Sequence, residues 1–278
     1  MIKSMFSAVT GLRSHQTMMD VIGNNIANVN TVGFKASRVV FTDVYYQTLA
    51  SANKPDGVNA GGTNPMQTGY GASVSSIDVL NSRSGFMQTD RPNDLYISGD
   101  GYFVVKDAGD EISYTRAGNF TFDAGGSLVD ANGNHVCGAN GSDPLDLTAT
   151  GLAKINIANF EDYSNISIGK NGAITGLTAT GVTTALGQIA LANFANPDGL
   201  IQNGTLYNQP SANSGDPIVG KPGDNATGSL IGGGLEMSNV DLSKQFTDMI
   251  IAQRGFQANS RVITTSDEIL QELVNLKR

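Results

Sequence analysis

The chain has no tryptophan, one cysteine and two histidines among 278 residues, and only 15% of its residues carry charge. With Cys137 alone, no intrachain disulfide can form. A zinc centre draws three or four Cys, His or carboxylate ligands into one cluster. His135 and Cys137 stand two apart, but the other histidine, His15, lies in a different kind of segment near the start, so the pair is expected to be structural. A Cys137 nucleophile would need a base and a third orienting group, and no local signature supplies them. Apolar runs are short and interrupted, whereas a membrane-spanning helix takes about 20 residues. The first residues, Met1 to Phe6, alternate apolar and polar, so no cleavable export signal is read there and no membrane insertion is expected. A net charge of −8 gives little attraction for nucleic-acid phosphate.

Other chemistry fails on spacing. The glycine-rich stretches are not followed by Gly-Lys-Ser/Thr, which a phosphate-binding loop requires, and they match no dinucleotide fingerprint. Asp107, Asp110 and Glu111 fall in one expected turn, where solvated acids are commoner than a glycosidase pair. No calcium-loop spacing occurs. The expectation is therefore no enzyme and no cofactor, with a secreted β-rich enzyme or adhesin as the remote alternatives.

What the sequence does have is two similar ends around a different middle. Between Ile2 and about Asn28 there is no proline, and Met5, Leu12, Met19 and Ile26 recur every seven residues, with Ile2 and Val9 beside them. That spacing predicts an apolar stripe along a helix. From about Ser238 to Arg278, Leu242, Met249, Phe256, Ile263 and Leu270 again recur at sevens, widened by Phe246 and others, with Ser238 or Asn239 as the expected N-cap. Sustained sevens favour helix-on-helix packing. The intervening chain reads as β, so the helices are expected to pair with each other and then with neighbouring copies.

The middle, with many of the 34 glycines beside Asn, Asp or Ser, reads as short strands joined by turns. Leu95–Ser98 and Tyr102–Val105 flank Gly99-Asp100-Gly101 as an expected hairpin; further turns are expected at Asp123 to Gly126, Asn132-Gly133 and Asn171-Gly172. The fold class is α+β: a mostly antiparallel β domain with N- and C-terminal helices pairing as a coiled coil. The expected division is 1–30 and 238–278 as a helical assembly domain, 31–80 as an extended arm, and 81–237 as the β-rich domain with a loose stretch at 209–234.

One run then stands out. Asp20-Val21-Ile22-Gly23-Asn24-Asn25-Ile26-Ala27-Asn28-Val29-Asn30-Thr31-Val32-Gly33-Phe34-Lys35 closely resembles the signature of flagellar rod and hook proteins. The end of the chain, from Ser238-Asn239-Val240-Asp241-Leu242 to Asn275-Leu276-Lys277-Arg278, and Gly99-Asp100-Gly101-Tyr102-Phe103 and Tyr114 to Phe120 in the middle, are similar to the same family. The resemblance implies an axial protein whose terminal helices line a tube with the β domain outside, exported through the flagellar type III apparatus without signal cleavage. It singles out Asn24, Asn25, Asn28, Gly33 and Phe34 as signature positions and implies a homopolymer, with rod proteins, hook-filament junction proteins and the hook cap as partners. Within the family the C-terminal end looks more like hook proteins, while the arm from Tyr46 to Val74, with Gly61-Gly62-Thr63-Asn64-Pro65-Met66-Gln67, is long enough to resemble the insertion of the distal rod; hook is the preferred expectation and distal rod the alternative.

Overall fold

A computed structural model describes residues 2–55, 61–140, 152–158, 160–179, 181–204, 206–224 and 226–276. The chain divides into two compact units, one of Met1–Ala27, Ser37–Val79 and Val240–Arg278, the other of Asn28–Ala36 and Leu80–Asn239. Among the described residues no helix is long and apolar enough to cross a membrane.

The first unit holds helix α1 (Ile2–Ala27) and helix α2 (Leu242–Asn275), both free of proline. Neither Ser238 nor Asn239 caps α2. Asp241 does, its Oδ1 accepting from the amides of Ser243 at 2.9 Å and Lys244 at 3.3 Å. A carboxylate there satisfies two otherwise free first-turn donors and suits the positive end of the helix dipole. The helices run antiparallel: Gly11 lies against Asn259, His15 against Gly255, and Asn25 donates to Gln245 Oε1 at 3.1 Å, so facing residue numbers add to 270.

Among the described residues the same unit contains four strands: β1 (Ser37–Asp43), β2 (Tyr46–Ala50), β3 (Met66–Gly69) and β4 (Ala72–Val79). β1 pairs with β4 and β2 with β3, all antiparallel, forming one long hairpin. The stretch 31–80, expected to lack regular pattern, is thus largely strand. Its signal was hidden because residues of β2 are exposed on both faces, and a strand that buries neither face needs no period-two alternation.

The second unit is built on a 13-stranded antiparallel sheet. Its main path runs Tyr163–Ile168, Ala173–Thr178, Thr183–Ile189, His135–Asn140, Tyr102–Lys106, Ile112–Thr115, Tyr207–Gln209 and Ile201–Gln202. The core under it joins Leu95, Ile97, Phe103, Phe120, Leu128, Ile155, Ile174, Ile189 and Leu191, each 1% exposed or less. Phe103 and Phe120 meet edge to face at 4.9 Å, a favoured aromatic geometry. The turns at 123–126, 132–133 and 171–172 form as expected, with Gly126, Gly133 and Gly172 at positive φ.

Two expectations fail here. Leu95–Ser98 does not fold back on Tyr102–Lys106; it pairs with Ser229–Gly232. Gly99 and Gly101 have φ of 146° and 126°, and a Cβ on Gly99 would stand 2.5 Å from Gly228 Cα, so the glycines let two chain segments cross closely and do not close a hairpin. The 209–234 stretch is not loose either: Ile218–Gly220, Ser229–Gly232 and Gly234–Glu236 are strands. Proline and glycine sit between and at the ends of these short strands, and punctuation that dense resembles a linker in sequence.

Candidate assembly surface

The helix pair approaches most closely through small and polar residues, not through those recurring at sevens. Ala8, Ser14, Ile22 and Asn25 of α1, and Ala252 and Ser266 of α2, are the buried ones. A Cβ on Gly255 would lie 2.5 Å from His15 Nε2, and one on Gly11 would lie 2.7 Å from Asn259 Nδ2. Missing side chains are what let the two backbones come this near. The seven-residue stripes flank that line. Met5, Leu12, Met19, Ile26, Met249, Ile263 and Leu270 are half-buried, whereas Val9, Leu242, Phe246 and Phe256 are exposed.

Beyond them lies a larger apolar surface. Phe6 is 61% exposed, Ile250 59%, Ile251 56%, Ile269 51%, Val274 67% and Leu276 80%. The hairpin adds Phe41, Val44, Tyr45, Tyr46, Leu49, Met66 and Ile77, all exposed. Exposed apolar side chains in this number make the helix pair and the hairpin the candidate surface for a partner to cover. The register also shows which part projects. By the same register residue 268 of α2 falls opposite residue 2 of α1, so among the described residues Ile269 to Leu276 run beyond α1. Lys277 and Arg278, matched in the terminal resemblance, lie outside the described residues.

The signature positions have local jobs. Asn25, 1% exposed, accepts from Ser37 N at 3.0 Å and donates to Ser37 O at 2.7 Å, standing in for a strand partner at the start of β1. Asn28 Oδ1 accepts from Thr31 Oγ1 at 3.0 Å in the turn that ends α1. Asn24 is exposed on α1. Gly33 has φ of 71°, and a Cβ there would meet Ala117 N at 2.9 Å. Phe34 is half-buried, its amide donating to Thr31 O at 3.3 Å. Lys35, at the end of the signature, is buried against Glu236. Sequence reasoning missed that partner, 201 residues away, because a lone Glu in a glycine-rich stretch carries no local signal.

The residues weighed for catalysis are placed otherwise. Cys137 is fully buried among Tyr102, Val104, Tyr114 and Phe194, and that burial pushes its thiol up to about 11. A thiol so seldom ionised is a poor nucleophile. Asp110 sits in a turn, hydrogen-bonded to Lys106 and Lys154, which hold its carboxyl below the ordinary value. Among the described residues no group of three or more His, Cys, Asp or Glu side chains gathers to hold a metal ion.

In the first unit the terminal helices are folded on each other with exposed apolar side chains, and an antiparallel β unit lies between them in sequence. Three family models match: "Flagella basal body rod protein" over residues 5–35, "Flagellar hook protein FlgE/F/G D1 domain" over 96–176 and "Flagellar basal body rod FlgEFG protein C-terminal" over 231–276. The chain is 50% identical to the flagellar basal-body rod protein FlgG of Bacillus subtilis over the whole length of both. It is 37% identical to FlgG of Buchnera aphidicola subsp. Schizaphis graminum, covering 99% of this chain and 100% of that one. With the flagellar hook protein FlgE of Borreliella burgdorferi it shares 30% identity over an alignment of 444 positions that covers both chains fully. The chain belongs to the flagellar rod and hook protein family, the structural components of the flagellum's axis.

Proposed function

We propose that the chain is a structural subunit of the distal flagellar rod, polymerising with its own copies into a helical tube that carries the hook. The polymer reading rests on the open apolar surface of α1, α2 and the hairpin, topped by Val274 and Leu276 at 67% and 80% exposure. A surface patch meeting a different patch on the next copy does not close a dimer, and repetition of such a contact generates a filament. Preference for rod over hook reverses the expectation drawn from the chain's end. Full-length likeness at 50% to a rod protein outweighs 30% to a hook protein whose alignment runs to 444 positions against a chain of 278. The neighbours are then rod and hook proteins, with delivery by the flagellar type III apparatus; the hook cap and hook-filament junction proteins belonged to the hook reading.

A strain lacking this chain tests the assignment. Electron micrographs of its basal bodies should show a rod cut short and no hook. A full-length rod without a hook would restore the hook reading.

A further inference from the structure

The chain passes between its two units at four points: 27/28, 36/37, 79/80 and 239/240. Three of the residues flanking these points, Ala36, Leu80 and Asn239, are hydrogen-bonded in a ring inside the second unit. Ala36 N donates to Asn239 Oδ1 at 2.7 Å, Asn239 Nδ2 donates to Leu80 O at 2.7 Å, and Leu80 N donates to Ala36 O at 2.8 Å. Asn239 also donates to Ser82 Oγ at 3.0 Å.

A buried ionic cluster stands just inside this ring. Glu236, 1% exposed, receives Lys35 Nζ on Oε1 at 2.5 Å and Arg116 Nη1 on Oε2 at 3.3 Å. Lys35 Nζ donates onward to Ser82 O at 2.8 Å, and Arg116 Nη1 to Gly99 O at 3.0 Å, its guanidinium 5.2 Å over the Tyr102 ring. The backbones join in: Gly33 N donates to Glu236 O at 2.9 Å, Met237 N to Gly85 O at 3.0 Å, and Ser84 Oγ to Ser238 O at 2.8 Å. Segments 33–36, 80–85 and 236–239, which hold three of the four passages, are thus laced into one knot around a single carboxylate. Two buried cations facing one anion are tolerable only while that anion is ionised and in place, and removing it leaves both uncompensated.

We infer that Glu236 and Asn239 are positioning residues: they fix the three chain passages relative to one another and thereby set the stiffness of the assembled tube, not whether it forms. Any load carried along the covalent chain from one unit to the other runs through the four passages, three of which the knot holds. A network satisfied in several directions at once is rigid, and its partial loss frees the segments it joined. The stiffness half of the inference rests on the polymer reading; the knot itself does not.

Hydrogen exchange on the full-length chain tests the knot. In Glu236→Gln the amides of Gly33, Ala36, Leu80 and Met237 should exchange at least about tenfold faster, while those of Val104 and Ile189 in the central sheet stay unchanged. Asn239→Ala, which strips three hydrogen bonds without burying a new charge, should speed Ala36 and Leu80 and give rods that form in normal number with a broader spread of curvature. Unchanged exchange at these amides, or a rise shared equally by the sheet, overturns the knot. Asn239→Ala rods as straight as the parent's overturn its mechanical role. Absence of rods from the parent strain itself would instead strike the function proposed above.

Discussion

Three glycines in the terminal helices provide a graded test of the helix pairing. Glycine in a helix interior costs about 1 kcal/mol relative to alanine, so alanine at any of the three gains that much if nothing is in its way. At Gly23 nothing lies within 4 Å of the added Cβ, and Gly23→Ala should stabilise by about 1 kcal/mol. At Gly11 the obstacle is the tip of the Asn259 side chain at 2.7 Å, which can rotate away, and the change should be near neutral. At Gly255 the new methyl meets three atoms of the His15 imidazole between 2.5 and 3.0 Å. That ring is packed edge-on to Phe41 at 6.0 Å between centroids, so it has little room to move. Overpacking of this kind costs about 1–3 kcal/mol, giving Gly255→Ala a net loss of about 1 kcal/mol. Thermal unfolding of the full-length chain followed by helical circular dichroism should separate Gly23→Ala from Gly255→Ala by about 4–8 °C. Equal melting of the two variants would refute the close antiparallel packing.

Further outcomes follow from the same geometry. Leu12→Asp or Met249→Asp should abolish polymer in sedimentation while the β unit keeps its folded spectrum, since a charge in a covered apolar seam costs several kcal/mol. Asp241→Ala should destabilise α2 by about 1 kcal/mol, measured by chemical unfolding, because two first-turn amides lose their acceptor. The Cys137 thiol, raised from 9.0 to about 11, should resist thiol reagents at pH 8 until urea is added. The unfolded thiol ionises first, so its contribution to stability is intact below pH 9 and is lost as pH rises to 11, about 3 kcal/mol in all; Cys137→Ser should flatten that part of the pH profile.

How far the fold could be read in advance depended on how local its cause was. Helices α1 and α2 announced themselves through period and the absence of proline, and the turns at Asn132-Gly133 and Asn171-Gly172 through residues that accept positive φ. The line of closest helix contact did not, because Gly11, Gly255, Asn25, Gln245 and Asn259 are small or polar, and an apolar count weighs large apolar residues most. Strands β1 to β4 were missed for the opposite reason: many of their apolar residues, Val40, Phe41, Tyr46, Leu49, Met66 and Ile77 among them, stay exposed, so burial left little alternation to find. Pairing of Leu95–Ser98 with Ser229–Gly232 joins segments more than 130 residues apart, and nearby glycines suggested a local hairpin instead. The Lys35–Glu236–Arg116 cluster was beyond reach on the same ground. Of the candidate site, the helices and the signature were legible, and the sides they turn outward required coordinates.

The central claim, that this chain builds the distal rod by covering its open helix faces with other copies, is tested most directly by a cryo-EM reconstruction of isolated basal bodies with hooks attached. Side-chain density for this sequence is expected in the distal rod, with Phe246, Ile250, Val274 and Leu276 covered by neighbouring subunits. Density for it in the hook, or those four residues facing solvent within the rod, would contradict it.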